Sequence, residues 1–301
     1  MSGRPVAVEV PATSANLGPG FDAFGVALSV GLRATVVARQ ERRIIPSGEG
    51  ADEVSTGDDN LVWRALLAYS AWSGETYIPD VSVAVHSDIP LERGMGSSSA
   101  AAVAGITLGR FLLGGGGTNQ ALIDLATEFD GHPDNVAPAI LGGLVVCVDG
   151  VAHRLEPSPA LRPVICVPRA RQSTKEARGI LPAALPLAAA AANGARAAVV
   201  LAGLAGAMPW DPRAMVDVLH EPVRLQAMAP SGHLVAELRA RGIGACLSGA
   251  GPSVLAVVGA GDEQAVDAVR AAAGDFWSVR PLEWQLEGAG SDRFLPGPPR
   301  D

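Results

Sequence analysis

Hydrophobic and polar positions along the chain change period several times, and each change predicts an element. Residues 6–10 form a short β-type run that ends at Pro11, and residues 25–39 form a longer one, so the segment between them reads as a loop held by two strands. Residues 60–72 carry helical spacing after an acidic turn at Asp58 and Asp59, and residues 81–86 alternate as a strand. Residues 97–113 read as a helix and Thr118 opens another that reaches Phe129. Residues 130–138 read as a polar turn and 139–148 as a short apolar helix or strand.

Pro157, Pro159 and Pro163 cluster where the texture changes. This places a domain boundary near residue 155, with an N-terminal domain over residues 1–155 and a C-terminal domain over 156–301. Beyond it, Ala-rich helical stretches at 183–208 and 227–241 alternate with β-type runs at 164–167, 245–247, 253–258 and 277–281. That alternation predicts an α+β domain of helices layered on a sheet. The Pro- and Gly-rich tail, residues 288–301, is expected to be loosely ordered.

With 301 residues, 48% hydrophobic and 18% charged, the chain can bury a sizeable core, and its 4% aromatic content makes that core one of small aliphatic side chains. A net charge of −8 provides no basic field for nucleic acid. The single lysine, Lys175, leaves nearly all positive charge on arginine, the residue suited to forked recognition of carboxylates and phosphates. Cys147, Cys166 and Cys246 each sit in an apolar run and read as buried thiols of a reducing compartment. No charged start leads a long apolar stretch and no uninterrupted run reaches membrane-spanning length, so a cytoplasmic protein without a membrane partner is expected.

Residues 90–100 read Pro-Leu-Glu-Arg-Gly-Met-Gly-Ser-Ser-Ser-Ala, two glycines and three serines directly before an Ala-rich helix. Glycines let backbone approach oxygen closely, while free N–H groups and the helix dipole favour an anion. The Walker lysine is missing, the Gly-x-Gly-x-x-Gly fingerprint is not completed, and Lys175 lies too far on to serve as a protein-kinase lysine. The stretch resembles the phosphate-binding motif of GHMP kinases, Pro-x-x-x-Gly-Leu-Gly-Ser-Ser-x-Ala, with Met95 in place of the common leucine.

Further motifs resemble those of homoserine kinases within that superfamily, in order from Pro11 to Ser253. Residues 11–22, Pro-Ala-Thr-Ser-Ala-Asn-Leu-Gly-Pro-Gly-Phe-Asp, resemble the segment whose asparagine and aspartate hold the amino-acid substrate, here Asn16 and Asp22. Residues 130–138, Asp-Gly-His-Pro-Asp-Asn-Val-Ala-Pro, resemble a segment in which glutamate normally leads. Asp130 is shorter, and Glu128 lies two residues earlier, so a magnesium ion is reached either directly or through water. Residues 173–182 resemble Ser-Thr-x-x-Ala-Arg-x-x-Leu-Pro, and residues 220–224 resemble His-x-x-Tyr-Arg with Val223 replacing the aromatic. Residues 248–253, Ser-Gly-Ala-Gly-Pro-Ser, resemble the third GHMP motif.

The resemblance implies the two-domain GHMP fold, an N-terminal half like domain 2 of ribosomal protein S5 and a ferredoxin-like C-terminal half. It implies transfer of the ATP γ-phosphoryl group to the hydroxyl of L-homoserine, for threonine synthesis, with Mg2+ as cofactor and a possible homodimer by family analogy. ATP contacts are implied at Pro90, Arg93, Gly94, Met95, Gly96, Ser97, Ser98, Ser99 and Ala100, with Asn60 and Val62 flanking the base, and magnesium contacts at Ser98 and Asp130. Substrate contacts fall on Asn16, Asp22, His132, Arg178, Arg224, Ser248 and Gly249. Asn135 stands where related kinases carry a catalytic aspartate, which leaves catalysis to positioning and charge stabilisation, and Thr174 orients the reacting hydroxyl. Two alternatives stand beside this reading: a kinase of another small hydroxy acid or alcohol, and a non-catalytic nucleotide-binding relative.

Overall fold

Two sheets carry the chain in a computed structural model that describes residues 6–290, apart from residues 42, 76, 172 and 173. The first is built from β1 (Ala7–Ala15), β2 (Phe24–Ala38), β3 (Ile44–Gly48), β4 (Val81–Ser87), β5 (Leu144–Val148) and β6 (Val151–Leu155). Its order is β3-β4-β2-β5-β6 with β1 paired to β2, and its pairs are antiparallel except that of β3 with β4. The second holds β7 (Leu161–Pro168), β8 (Gly244–Leu247), β9 (Val254–Gly259) and β10 (Trp277–Pro281), antiparallel throughout in the order β10-β7-β9-β8.

Four helices accompany the first sheet: α1 (Leu61–Ser73), α2 (Ser97–Leu112), α3 (Asn119–Asp130) and α4 (Pro133–Leu141). Five more follow in the second half: α5 (Thr174–Gly179), α6 (Leu187–Leu204), α7 (Glu221–Ala227), α8 (Ala229–Ala240) and α9 (Glu263–Ala273). Side chains cap several of them as their sequences ask: Asn60 accepts from the Val62 N–H and Thr118 from the Ala121 N–H. Small residues let α1 and α2 approach closely, and a Cβ at Gly105 would lie 2.1 Å from the Val62 carbonyl oxygen. Leu66, Ile106, Leu122, Ile140 and Leu144 are fully buried between these helices and the sheet. All three cysteines are buried and free.

Several expectations need correction. β1 continues through Pro11 to Ala15, so the loop proper begins at Asn16; the register shifts between Pro11 and Ala12, an irregularity at which proline is tolerated. The expected polar turn at 130–138 is mostly α4. Pro133 occupies its first turn, where a missing N–H costs nothing, and Val136, Ala137 and Ile140 bury the face behind the polar residues. The short helix α7, the amphipathic helix α9 and the strands β3 and β6 are elements that the sequence reading does not separate out.

The tail is also tighter than expected at its start. Ala289 is fully buried and its N–H donates to the Ala139 carbonyl, while the Gly290 N–H donates to the Ile140 carbonyl. Residues 282–290 return along the first sheet, with the Gln285 N–H on the Ala27 carbonyl and Trp284 Nε1 donating 2.7 Å to the Leu161 carbonyl. The rest of the tail, 291–301, lies outside the described residues. By length and composition α6 could cross a membrane, and only 22% of it is buried. Its Asn193 is nonetheless bound into the fold, donating to the Pro19 carbonyl and accepting from the Val218 N–H.

Candidate active site

The glycine-serine loop, which the resemblance implies is a phosphate loop, ends on Gly96, the N-cap of α2, with φ of 68° and no side-chain cap. Gly94 and Gly96 are both in the left-handed region. Each is also closed against a neighbour, since a Cβ would lie 2.1 Å from the Ser248 carbonyl oxygen at Gly94 and 2.1 Å from Thr13 Oγ1 at Gly96. The first intrahelical bond is from the Ala100 N–H to the Gly96 carbonyl, so the N–H groups of Ser97, Ser98 and Ser99 face outward from the positive end of the helix dipole. Ser98 Oγ and Ser99 Oγ donate to the two carboxylate oxygens of Asp130, at 2.8 and 2.6 Å. The shorter carboxylate at the end of α3 therefore reaches the serines directly.

These groups line one cleft of about 310 Å³ together with Asn16, Asp22, Arg93, His132, Asp134, Asn135, Arg178, Arg224 and Gly249. The motif loop after β1 is strained into this shape, with Asn16, Leu17 and Asp22 at positive φ. Asn16 holds it, donating to the Gly249 carbonyl at 2.8 Å and accepting from the Asp22 N–H at 3.0 Å. Asp22 pairs with Arg178, whose Nη2 lies 2.5 Å from Asp22 Oδ2, and Arg178 also donates to His132 Nε2. The carboxylate and guanidinium that the resemblance assigned separately to a substrate are thus partners of each other.

Arg224 is almost fully buried, and that burial lowers its pKa. Its Nε donates to the Ala177 carbonyl and its Nη1 to His220 Nδ1, each at 3.1 Å. Asp134 is also buried, and burial first, then the neighbouring Asp22 and Asp130 carboxylates, push its carboxyl up to about 7. Asn135 Oδ1 accepts from Thr13 Oγ1 at 2.7 Å, which links the two motifs on either side of the phosphate loop.

The similarity to known proteins is extensive. Residues 60–143 match the family described as GHMP kinases N terminal domain. A homoserine kinase of Moorella thermoacetica is 42% identical over 255 residues, covering 83% of this chain and 86% of that one. A second, from Streptomyces avermitilis, is 42% identical over 295 residues, 94% of each chain. The chain belongs to the homoserine kinase family. A crystal structure of homoserine kinase from Cytophaga hutchinsonii matches with a TM-score of 0.82 at 26% identity, covering 96% of this chain and 97% of that one. The two sheets with their helices are accordingly the two-domain GHMP kinase fold.

Not every residue implied by the homoserine kinase resemblance lines the cleft. Asn60 caps α1 and its amide nitrogen donates to the Ser55 carbonyl, while Val62 is buried; neither lines it. Pro90, Met95 and Ala100 are backbone and packing members of the loop, buried behind it. Arg93 does line the cleft, but its three nitrogens donate to the carbonyls of Pro168, Leu91 and Arg169. Ser248 is fully buried and donates 2.6 Å to the Gly94 carbonyl, so its hydroxyl clasps the phosphate loop. Thr174 opens α5, and its side chain lies outside the described residues. A larger hollow of about 530 Å³, lined by Glu9, Leu28, Arg33, His86 and Glu287 among others, contains none of the phosphate-loop residues.

Among residues that sequence reasoning does not single out, Asp134 lines the cleft, while Thr13, Phe21 and His220 each contact a residue that lines it. Three lie inside the motifs, beside residues that the resemblance singles out. The fourth, His220, begins the motif that ends in Arg224, and its position four residues earlier is the available signal.

Proposed function

We propose that this chain transfers the γ-phosphoryl group of ATP to the side-chain hydroxyl of L-homoserine, giving O-phospho-L-homoserine for threonine synthesis. The observation that carries this reading is the meeting of two kinds of group in one cleft: the outward N–H groups at the start of α2, and one carboxylate with two guanidiniums from Asp22, Arg178 and Arg224. The first suits phosphate. The second suits an amino acid, with Asp22 taking the α-ammonium and Arg178 and Arg224 the α-carboxylate. A zwitterion entering here exchanges one ion pair for two, so the Asp22–Arg178 contact opens as the substrate binds. An alcohol without a carboxylate leaves both guanidiniums without that partner.

The Ser98 hydroxyl and Asp130 carboxylate are hard oxygen donors of the kind magnesium takes together with phosphates and water, so these two residues would hold the ion. Bound there, magnesium supplies charge neutralisation to the nucleotide phosphates. The chain's own part is positioning. The α2 N–H groups hold phosphate oxygens where charge develops, and the amide of Asn135, fixed by Thr13, borders the space between phosphate and amino acid. Thr174 is assigned to orient the hydroxyl.

A coupled ADP-release assay with magnesium ATP tests the reading, comparing L-homoserine with mevalonate, shikimate, L-serine and no acceptor. Selective turnover of homoserine is expected. Equal turnover of mevalonate or shikimate transfers the function to another small alcohol or hydroxy acid, and silence with every acceptor leaves a nucleotide-binding relative. Light scattering on the same preparation tests the homodimer that the family resemblance implies.

A further inference from the structure

We propose that His220 and Phe21 are positioning residues that set Arg224 and Arg178 as one carboxylate clamp, an assignment that rests on the homoserine reading above. An arginine side chain gives up most of its rotamer freedom when it is fixed. Arg224 has already lost it: Nε is held by the Ala177 carbonyl next to Arg178, and Nη1 by His220 Nδ1. Among the described residues its Nη2 has no hydrogen bond, and Arg224 lines the cleft despite its burial.

The His220 ring can accept from Arg224 in only one state. Its Nε2 lies 3.2 Å from the Gly18 carbonyl, to which it donates, so the Nδ1 lone pair faces the guanidinium. A protonated ring would present N–H to N–H. Complete burial favours the neutral form, lowering the His220 pKa. Gly18 belongs to the same loop as Asp22 and Phe21, so this one ring ties the carboxylate-binding arginine to the ammonium-binding loop.

Phe21 completes the frame. Its ring stacks on His220 with centroids 5.1 Å apart and planes at 26°, and the central carbons of Arg178 and Arg224 each lie 5.6 Å from its centroid. Two like charges are thereby held near one aromatic ring, whose electron-rich π system offsets part of their repulsion. Arg224 is in place before a substrate arrives, so its ordering cost falls on folding and not on binding.

The test is steady-state kinetics of the full chain and five variants, with homoserine and ATP varied separately. His220→Phe keeps an aromatic ring that can stack but removes both hydrogen bonds, and it is expected to raise the KM for homoserine about tenfold or more, the equivalent of one charge-assisted hydrogen bond. The KM for ATP should stay within about twofold, a smaller change than the loss of any direct phosphate hydrogen bond produces. His220→Gln, whose amide retains an acceptor and a donor, should recover most of the loss. Phe21→Leu, which removes the ring face, should raise the homoserine KM severalfold, and it tests the assembly even if His220→Phe does not fold. In an Arg224→Ala background His220→Phe should add nothing further, because the histidine acts through the arginine. An unchanged homoserine KM in both His220→Phe and Phe21→Leu, or an equal rise in both KM values, overturns this assignment alone. A wild-type chain inactive with homoserine overturns the proposed function and this assignment with it.

Discussion

At the scale of single residues, the site is a set of charges that satisfy one another until a ligand arrives. Asp22 and Arg178 are half-exposed partners, whereas Arg224 is buried and held by neutral acceptors, so their contributions to binding should differ. Replacing Arg224 by alanine removes charge-assisted bonds to a carboxylate worth about 1.5–3 kcal/mol, which predicts a rise of roughly 10- to 100-fold in the KM for homoserine. The KM for ATP should hardly move; steady-state kinetics with each substrate varied decides, and an equal rise in both removes Arg224 from the amino-acid site. Asp134 makes a prediction in pH. Its carboxyl is pushed up to about 7 in the fold against about 3.9 in an unfolded chain, so the folded state holds the proton through the window between. Stability is lost as pH rises through that window, by on the order of 4 kcal/mol in the ligand-free protein. His220 works in the opposite sense: its lowered pKa costs stability as pH falls below about 6.5, where an unfolded histidine gains its proton. Asp134→Asn removes the first effect and keeps the second. Urea unfolding should therefore find the variant more stable than wild type at pH 8 and not at pH 4, and a pH-independent difference contradicts the buried carboxyl.

At the scale of elements, one substitution read in two helices separates propensity from packing. Glycine in a helix interior costs about 1 kcal/mol relative to alanine. Gly194 lies in α6, and a Cβ added there would meet nothing within 4 Å, so Gly194→Ala should stabilise by about the same amount as that propensity difference. Gly105 lies in α2, where the same Cβ meets the Val62 carbonyl oxygen at 2.1 Å and Ala65 Cβ at 2.7 Å. Separating α1 from α2 there should cost about 1–3 kcal/mol, which outweighs the propensity gain. Opposite shifts of the urea midpoint are expected, and two stabilising shifts would mean that α1 and α2 are less tightly joined than these distances require. The same contrast explains why α2 is so well placed: its alanines and glycines bring it against α1 and β1, and its first turn is thereby fixed against the cleft.

At the scale of the whole molecule, the cleft lies where the two sheets meet through the phosphate loop. Gly94 touches the third motif, Ser248 bonds back to its carbonyl, and Arg93 reaches the carbonyls at the end of β7 and just after it. Gly94→Ala must relieve both a φ of 70° and a Cβ 2.1 Å from the Ser248 oxygen. Relief moves the phosphate loop away from the third motif, so kcat/KM for ATP is expected to fall by about 100-fold, the scale on which a misplaced reactive group is felt. The folded state should persist, as circular dichroism would show, because the rest of both sheets is untouched. Wild-type kinetics in this variant would dissociate the clasp from catalysis. The return of residues 282–290 to the first sheet adds a second join, made by Trp284 and Ala289, neither of which lines the cleft.

What the sequence determined by itself was whatever a short stretch of chain can specify. The helical period of α1, α2 and α3, their caps at Asn60 and Thr118, and the glycine-serine run before α2 depend on neighbours a few residues away, so they are legible in order along the chain. The motif residues Asn16, Asp22, His132, Arg178 and Arg224 were named as a set through the segments that resemble homoserine kinases, and they do line one cleft. Tertiary structure alone decided what each of them does there. Asp22 is bound to Arg178 across 156 positions of sequence, Ser248 to Gly94 across 154, and His220 to Gly18 across 202. No local pattern encodes those partners, because a hydrogen bond or a desolvation penalty depends on which distant backbone closes over the group. Asp134 shows the limit most plainly: an ordinary carboxylate beside a proline in the chain, it acquires its displaced pKa only when α4 buries it next to Asp22 and Asp130.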